Sequence, residues 1–340
     1  MVRPSLYSDN HSLLQLTAQN AMKGAIALRI DRKPDFFALL KSRGESHTLV
    51  DEQNGEIVGS FSSSCFQAYV NQELTTIHYL CDLKVDNKIR GGRTAFALVK
   101  QMTEYLADQG DLVYLLVADG NTAMDPFLEG RLGIPPFKSL GQFKVLQFLP
   151  KKKEQTGQYV VEQLNLSVGL EERFNEFHKQ YQMGKHIEQL NHQNLWVARH
   201  GGKIVAAISL ADPSELKQNV VINVNPLLRV LITASRWLPM PTLPGINEAI
   251  RILYVDHFFY QPGHKEAIKA LIGQAQVEAG NGQYHFLSLG VHERDPLYAL
   301  FKGKFKFTFN SNAYLASTAG NQHLVDEIAD GLPYEDYSLV

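Results

Sequence analysis

The stretch "VDNKIRGGRTA", residues 85–95, decides how this chain is read. An apolar run of strand character, "IHYLCDLKV" (77–85), leads into it, and "FALVKQMTEYLADQG" (96–110) follows with helical spacing. The order is strand, short Arg/Gly turn, helix. The first N–H groups of a helix have no intrahelical partner, and the helix dipole adds partial positive charge there. Gly91 and Gly92 permit positive φ and close approach of a ligand to the main chain. Arg90 and Arg93 offer permanent cationic forks for phosphate oxygens. Such a corner suits a diphosphate or a similar anion. The stretch contains neither G-x-G-x-x-G nor G-K-[ST], so the familiar phosphate loops do not fit. Taken alone, these residues are equally compatible with an exposed turn that binds nothing.

The chain has 340 residues, room for two ordinary domains with a sizeable core in each. Apolar residues make up 44% and charged residues 20%, with a formal net charge of −2, as in a soluble globular protein. That balance argues against wholesale nucleic-acid or membrane binding. The two cysteines, Cys65 and Cys81, lie in apolar strand-like sequence and read as buried free thiols. The start, "MVRPSLYSDNHSLLQL" (1–16), lacks the apolar segment of a signal peptide, and no apolar run reaches ~18 residues. The expected address is the cytoplasm.

Two blocks of the sequence repeat. "HTLVDEQNGEIVGSFS" (47–62) lies over "NLWVARHGGKIVAAIS" (194–209) without a gap, at an offset of 147, and both read as a β-hairpin. A second block repeats at an offset of 170, matching Val85-Asp86 with Val255-Asp256, Gly120 with Gly290 and Asp125-Pro126 with Asp295-Pro296. The different offsets imply an insertion of 23 residues before the second central strand. It takes in "NPLLRVLITASRWLPMPTLPG" (225–245), read as a packed excursion over the sheet or domain interface, with a substrate lid as the alternative. The boundary falls at "PKKKEQTGQ" (150–158), a charged polar linker. The expected domains are therefore 1–150, a linker 151–158, and 159–340.

Each half reads as α/β with a mixed sheet. "PDFFALLKSRG" (34–44) reads as a helix, "ESHTLVDE", "EIVGSFSSSCFQAYV" and "LVYLLVAD" as strands, and "RTAFALVKQMTEYLADQG" (93–110) as a helix ended by Gly110. The second half repeats this with "IRILYVDHF", "KEAIKALIGQAQVEAG" and "YHFLSLGV".

The segment "LKVDNKIRGGRTAFALVKQM" (83–102) resembles motif A of the GCN5-related N-acetyltransferase (GNAT) superfamily, whose turn is written [R/Q]-x-x-G-x-[G/A]. Arg90 fits its first position and Ala95 its last; the usual Gly at the fourth is Arg93 here. "GNTAMDPFLEGRLGIPPF" (120–137) resembles motif B, with Asn121 and Gly133-Ile134 at the matching places. The resemblance covers roughly residues 45–150 and, with the repeat, implies two GNAT-like acyl-CoA N-acyltransferase domains in tandem. It implies that the turn, Arg90, Gly91, Gly92, Arg93, Thr94 and Ala95, binds the pyrophosphate of acetyl-CoA or another acyl-CoA as cosubstrate. It implies further that the main chain of Leu83, Lys84 and Val85 pairs with the pantetheine arm, and that Asn121 belongs to the same site. The second copy faces the turn with Tyr260-Gln261-Pro262-Gly263-His264-Lys265. Pro262 removes an amide donor and the arginines are gone, so this domain reads as degenerate.

Acyl transfer from a thioester to an amine needs a proton acceptor for the amine and a proton for the thiolate. Asp82 is the only carboxylate in "IHYLCDLKV", where a charge demands a partner or a function. Asp82, Tyr79 and His78 are the catalytic candidates. Strand alternation puts His78 and Asp82 on one face and Tyr79, Cys81 and Leu83 on the other. A motif B tyrosine often serves the family as acid, but Phe127 and Leu128 stand near that place, leaving Tyr114 or water. No G-x-S-x-G, H-E-x-x-H or C-x-x-C occurs, and no metal site is expected.

The expected function is acyl-CoA-dependent N-acyl transfer to a small-molecule or peptide amine, with neither nucleic acid nor membrane as partner and with room for a homodimer. A non-catalytic acyl-CoA-binding or regulatory module is the first alternative. An aminoacyl transferase of the tandem-GNAT peptidoglycan type is the second, and the near-neutral charge without a basic stripe speaks against it.

Overall fold

The computed structural model describes residues 1–340 apart from 22–25, 90–91, 132–133, 154–156, 165–168, 189, 191–193, 226–242 and 304–306. Arg90, Gly91, Gly133 and most of the apolar excursion 225–245 therefore lie outside the described residues.

The first half contains β1 (Val2–Pro4), α1 (Asn10–Gln19), β2 (Ile26–Asp31), α2 (Ala38–Arg43), β3 (Ser46–Gln53) and β4 (Glu56–Val70). It continues with β5 (Glu73–Val85), α3 (Thr94–Leu106), β6 (Leu112–Ala118), α4 (Asp125–Leu128) and β7 (Lys138–Phe148). The second half opens with β8 (Val160–Leu164), α5 (Leu170–His178), β9 (Met183–Lys185), β10 (Leu195–His200), β11 (Lys203–Ala211), β12 (Gln218–Val224) and β13 (Ala249–Ile250). It closes with β14 (Ile252–Tyr260), α6 (Ala267–Asn281), β15 (Phe286–His292), β16 (Phe307–Ser317) and α7 (Gln322–Asp330).

One 13-stranded mixed sheet runs through the molecule in the order β1-β3-β4-β5-β6-β16-β7-β15-β14-β11-β10-β8, with β9 beside β4. A three-stranded sheet, β13-β12-β2, joins the two halves a second time. Among the described residues only two pairs of neighbouring strands are parallel, β5 with β6 and β14 with β15. At the centre the halves exchange strands. β16 pairs with β6 and β7, and β7 pairs with β15. The last strand of each half is thus held by the other half.

The hairpin offset of 147 matches the register. Val50 faces Ser60 while Val197 faces Ala207, and each hairpin carries an irregularity at the same place, after Asp51 and after Ala198. The offset of 170 is a few residues out of step. The last parallel pair is Leu80 with Leu115 in one half and Val255 with Leu289 in the other. Likewise Asp86 N donates to Val58 O and Gln261 N to Val205 O, each at 2.8 Å, so Gln261 rather than Asp256 corresponds to Asp86. Gly120 lies beyond β6 whereas Gly290 lies within β15. The identities at offset 170 are chance matches near the true register.

α3 packs its apolar stripe, Leu98, Val99, Met102 and Leu106, on Phe61, Leu80, Val113 and Leu115. It ends at Leu106 rather than at Gly110. Gly110 serves packing instead, since a Cβ there would lie 3.1 Å from His78 Nε2. The opposite face of the sheet carries Tyr79, Tyr114, Phe143 and Tyr254, covered by α7 and by the tail 332–340.

Candidate active site

β5 and β6 are hydrogen bonded from Ile77/Leu112 to Leu80/Leu115 and no further. Beyond that point β5 stays with β4 through Lys84 and Val85, while β6 stays with β16 through Ala118. The two parallel strands therefore part, and the inner edges of Cys81–Val85 and Leu116–Ala118 face an opening. The local cause is a β-bulge. Ser62 faces Cys81 but Ser60 faces Lys84, so Asp82 and Leu83 share the place opposite Phe61. Asp82 takes φ 56°, a left-handed conformation that Asp tolerates better than most residues.

The bulge breaks the alternation expected of β5. Leu80 and Leu83 pack on the α3 side. Tyr79 and Cys81 lie on the opposite face, and Asp82 joins them, accepting a hydrogen bond from the Cys81 thiol. Asp82 and His78 are thus on opposite faces, contrary to strict alternation.

Arg32, from the end of β2, meets Asp82 with both arms of its guanidinium: Nη1 donates to Oδ2 at 2.5 Å and Nη2 to Oδ1 at 3.1 Å. Both side chains are more than nine-tenths buried, at 7% and 4% exposure. Burial alone would raise the Asp82 pKa, but Arg32, Lys84 and the Cys81 hydrogen bond outweigh it and hold the carboxyl below its ordinary value. Asp82 is an ionised ion-pair partner, and this weakens it as a proton acceptor.

Below the opening, α3 starts at Thr94. Arg93 precedes it at φ −81°, and among the described residues no side chain caps the helix, which leaves its first amides open to a ligand. The helix comes close to the sheet because Gly59 lies beneath it. A Cβ on Gly59 would sit 2.6 Å from Thr94 Cγ2 and 2.9 Å from Leu98 Cδ1. Gln53 Nε2 donates to Thr94 Oγ1 at 3.3 Å, further fixing the first turn. Arg93 and Gly92 are exposed, and Gly92 keeps an ordinary φ instead of the positive one its residue type allows. Asn121 is exposed just past the end of β6, on the other side of the opening.

A cluster of buried charges lies on the Tyr79 face. Arg43 Nη2 donates to Glu335 Oε1 at 3.1 Å, and its guanidinium stacks 3.8 Å above the Tyr79 ring. Lys185 Nζ donates to Asp336 Oδ2 at 3.0 Å. Lys217 is 7% exposed; its Nζ donates to the main-chain oxygen of Val340 and lies 5.6 Å from the centre of the Tyr254 ring. Burial, reinforced by Arg32 and Arg43, lowers the Lys217 pKa to about 7, with Asp336 and Asp82 opposing. Among the described residues no group of three or more His, Cys, Asp or Glu side chains is placed to hold a metal ion.

The second half repeats the opening. β14 and β15 part after Val255/Leu289, again beside a bulge, with Ser209 facing His257 and Leu210 facing Val255. The chain's own tail lies against both arms. The Tyr334 hydroxyl donates to Asp256 O, and the Tyr337 ring packs on Gly290, where a Cβ would lie 2.2 Å from Cδ2. The turn before α6 contains Pro262 and no arginine.

Residues 15–134 match the model of the acetyltransferase (GNAT) family. This segment is a GNAT domain. The matched region includes β5, its bulge, the turn and α3. In fold the chain resembles Saccharomyces cerevisiae N-myristoyltransferase solved with bound myristoyl-CoA, at TM-score 0.60 and 13% identity, covering 93% of this chain and 82% of that one. It also resembles a conserved Enterococcus faecalis V583 protein described as a probable N-acyltransferase, at TM-score 0.54 and 12% identity, covering 94% and 73%. No curated protein matches the sequence. The chain thus carries a segment that matches the acetyltransferase (GNAT) family within a fold shared with these structures.

Of the catalytic candidates in the GNAT domain, Tyr79 and Asp82 share a face and His78 does not. His78 Nε2 lies 3.3 Å from Gln109 O at the foot of α3. Tyr79 is buried beneath Arg43, and burial raises its pKa, so it keeps its proton. Phe127 is a core residue, its ring 4.7 Å from that of Phe96, which explains why no tyrosine stands there. Arg32, Arg43, Lys217, Glu335 and Asp336 escape sequence reasoning, because Arg43 and Glu335 are 292 positions apart and no local pattern links them.

Proposed function

We propose that the chain is an acyl-CoA-dependent N-acyltransferase whose single acyl-CoA site is the opening between β5 and β6. The parting of these strands at the Asp82 bulge, directly above the uncapped start of α3 and inside the family match, carries this reading. The amides of Arg93, Thr94 and Ala95, with Arg90, Gly91 and Gly92, receive the pyrophosphate. The free main-chain edge of Leu83, Lys84 and Val85 receives the pantetheine arm, and Asn121 stands at the mouth. Acetyl-CoA or another acyl-CoA is the donor, and a small-molecule or peptide amine is the acceptor.

In this site the amine lone pair attacks the thioester carbonyl, a C–N bond forms, the C–S bond breaks, and the thiolate takes a proton that is made good, through water, by the one the amine nitrogen loses. Tyr114 is a fitting proton donor. It is fully buried, its hydroxyl has no partner among the described residues, and burial keeps it protonated. Asp82 with Arg32 holds the bulge and thereby the opening. The second half is a degenerate GNAT-like copy, supported by its arginine-free turn and by the tail against its opening. The composition supports a cytoplasmic setting.

The reading is tested by following thiol release from acetyl-CoA across amino acids, polyamines and short peptides. Amine-dependent release is expected, reduced at least tenfold by Arg90→Ala with Arg93→Ala. Binding of acetyl-CoA without release for any amine would identify a non-catalytic acyl-CoA-binding module instead.

A further inference from the structure

Tyr159, His200 and His264 are far apart in sequence, and the fold of the second half brings their rings together. Val160 of β8 pairs with Arg199 of β10, and one step further Tyr159 stands beside His200, with ring centres 5.7 Å apart. His264 lies three residues before α6, and its ring centre is 5.3 Å from that of His200 and 6.1 Å from that of Tyr159. At the offset of 147 the first-half residue matching His200 is Gln53, whose amide reaches the first turn of α3 through Thr94. The second half has two imidazoles and a phenol at this corner instead.

The main chain of His264 is fully used. Its N–H donates to Gln261 O at 3.0 Å, and its carbonyl accepts from Ala267 N at 2.9 Å. The ring Nδ1 is buried and has no hydrogen-bond partner among the described residues. Ring packing explains the distances among the three side chains, but not an imidazole nitrogen shut away from water without a partner. A metal ion explains both. With metal–nitrogen bonds of about 2.0–2.1 Å at a tetrahedral angle, two imidazole ring centres lie roughly 5.2 Å apart, and a coordinated phenolate ring lies roughly 6 Å from each. These spacings match the observed ones. His200 is exposed, and Tyr159 and His264 are half-buried, so an ion can enter from solvent.

We propose that Tyr159, His200 and His264 form a binding site for one divalent transition-metal ion of the zinc or copper kind, with water as the fourth ligand. Imidazole suits these ions, whereas calcium and magnesium take oxygen ligands. The histidines bind through neutral ring nitrogens, and Tyr159 binds as phenolate, giving its proton to solvent. The third donor being a phenol, the cluster is not one of three His, Cys, Asp or Glu side chains. The ion ties the end of β8, the β10–β11 hairpin and the turn before α6 into one unit. It is a structural clamp at the corner where the second half lacks the arginines of the first.

The test uses the full chain, stripped with EDTA and dialysed. One arm is titrated with Zn2+ by calorimetry, and the other with Cu2+, followed by absorption and electron paramagnetic resonance. One ion per chain is expected in each arm, with Cu2+ held more tightly than Zn2+. Bound Cu2+ should show hyperfine coupling to two nitrogens and a phenolate-to-copper charge-transfer band. His200→Ala and His264→Ala should each weaken Zn2+ binding at least tenfold, while Tyr159→Phe should weaken it less and remove the band. Zn2+ should also raise the melting temperature of the wild-type chain and leave that of His200→Ala unchanged, since an ion that binds only the folded state stabilises it. His200 is exposed, so its substitution keeps the fold and decides the matter even where His264→Ala does not fold. No binding of either ion at millimolar concentration would overturn the proposal. Binding that the His200 and Tyr159 substitutions leave unchanged would also overturn it, since the ion would then sit on others of the twelve histidines.

Discussion

At Asp82 a strained backbone and a buried ion pair meet in one residue. The left-handed φ creates the bulge, and the Arg32 fork holds the side chain that the bulge turns inward. Breaking one partner of a buried pair leaves the other charge uncompensated. Asp82→Asn is therefore expected to lower stability by about 3–5 kcal/mol in chemical denaturation at neutral pH. The native carboxyl titrates below its unfolded value, so its stabilisation is complete above pH ~4 and is lost as pH falls through the native pKa. The variant should accordingly show a flatter acid limb. Lys217 has the opposite linkage. Its native pKa of about 7 lies below the unfolded lysine value, so between these the unfolded chain binds a proton that the native chain does not. Wild-type stability should rise across this window. Lys217→Met should raise the melting temperature most at pH 7 and below, with the gain fading toward pH 10. A melting temperature unchanged across the range would contradict this. The sequence marks Asp82 as a charge in an apolar run but cannot reveal Arg32, because pairing over 50 positions leaves no local pattern.

The strand-turn-helix unit is the element that the sequence reveals best. β5 has an apolar run, α3 has a clear helical stripe, and the Arg/Gly turn stands between them. Alternation failed at the bulge because a one-residue insertion in a ladder has no compositional mark. The helix end also differs, since Gly110 is kept by the His78 ring rather than by a helix terminus. Gly59 is the hidden support of this element. Gly59→Val would push Thr94 and Leu98 outward, an overpacking that costs about 1–3 kcal/mol. Because the start of α3 moves, acyl-CoA binding should weaken more than tenfold in the still-folded fraction. A variant that loses stability yet binds acyl-CoA normally would separate the helix start from the site.

For the whole molecule, the sequence repeat leads to an expectation of two similar halves, and the hairpin at offset 147 keeps its register in both. The register of the second block and the exchange of strands do not follow from it, because sequence similarity carries no information about which copy completes which. β7 precedes the linker, but among the described residues the strands it pairs with are β15 and β16, and β6 needs β16 on its outer edge. A chain ending at residue 158 would expose both edges of β7 and one of β6. That fragment should fail to give cooperative unfolding by circular dichroism, and co-expression with 159–340 should restore it. A stable, cooperatively folding 1–158 fragment would contradict the exchange. The tail 332–340 joins the halves again, through Arg43, Lys185 and the second opening. With that opening covered, one acyl-CoA site is expected on the proposed function. Isothermal titration calorimetry with acetyl-CoA tests this most directly. One molecule should bind per chain, with affinity lowered at least tenfold by Arg90→Ala with Arg93→Ala. No binding, two equivalent sites, or binding indifferent to those substitutions would contradict it.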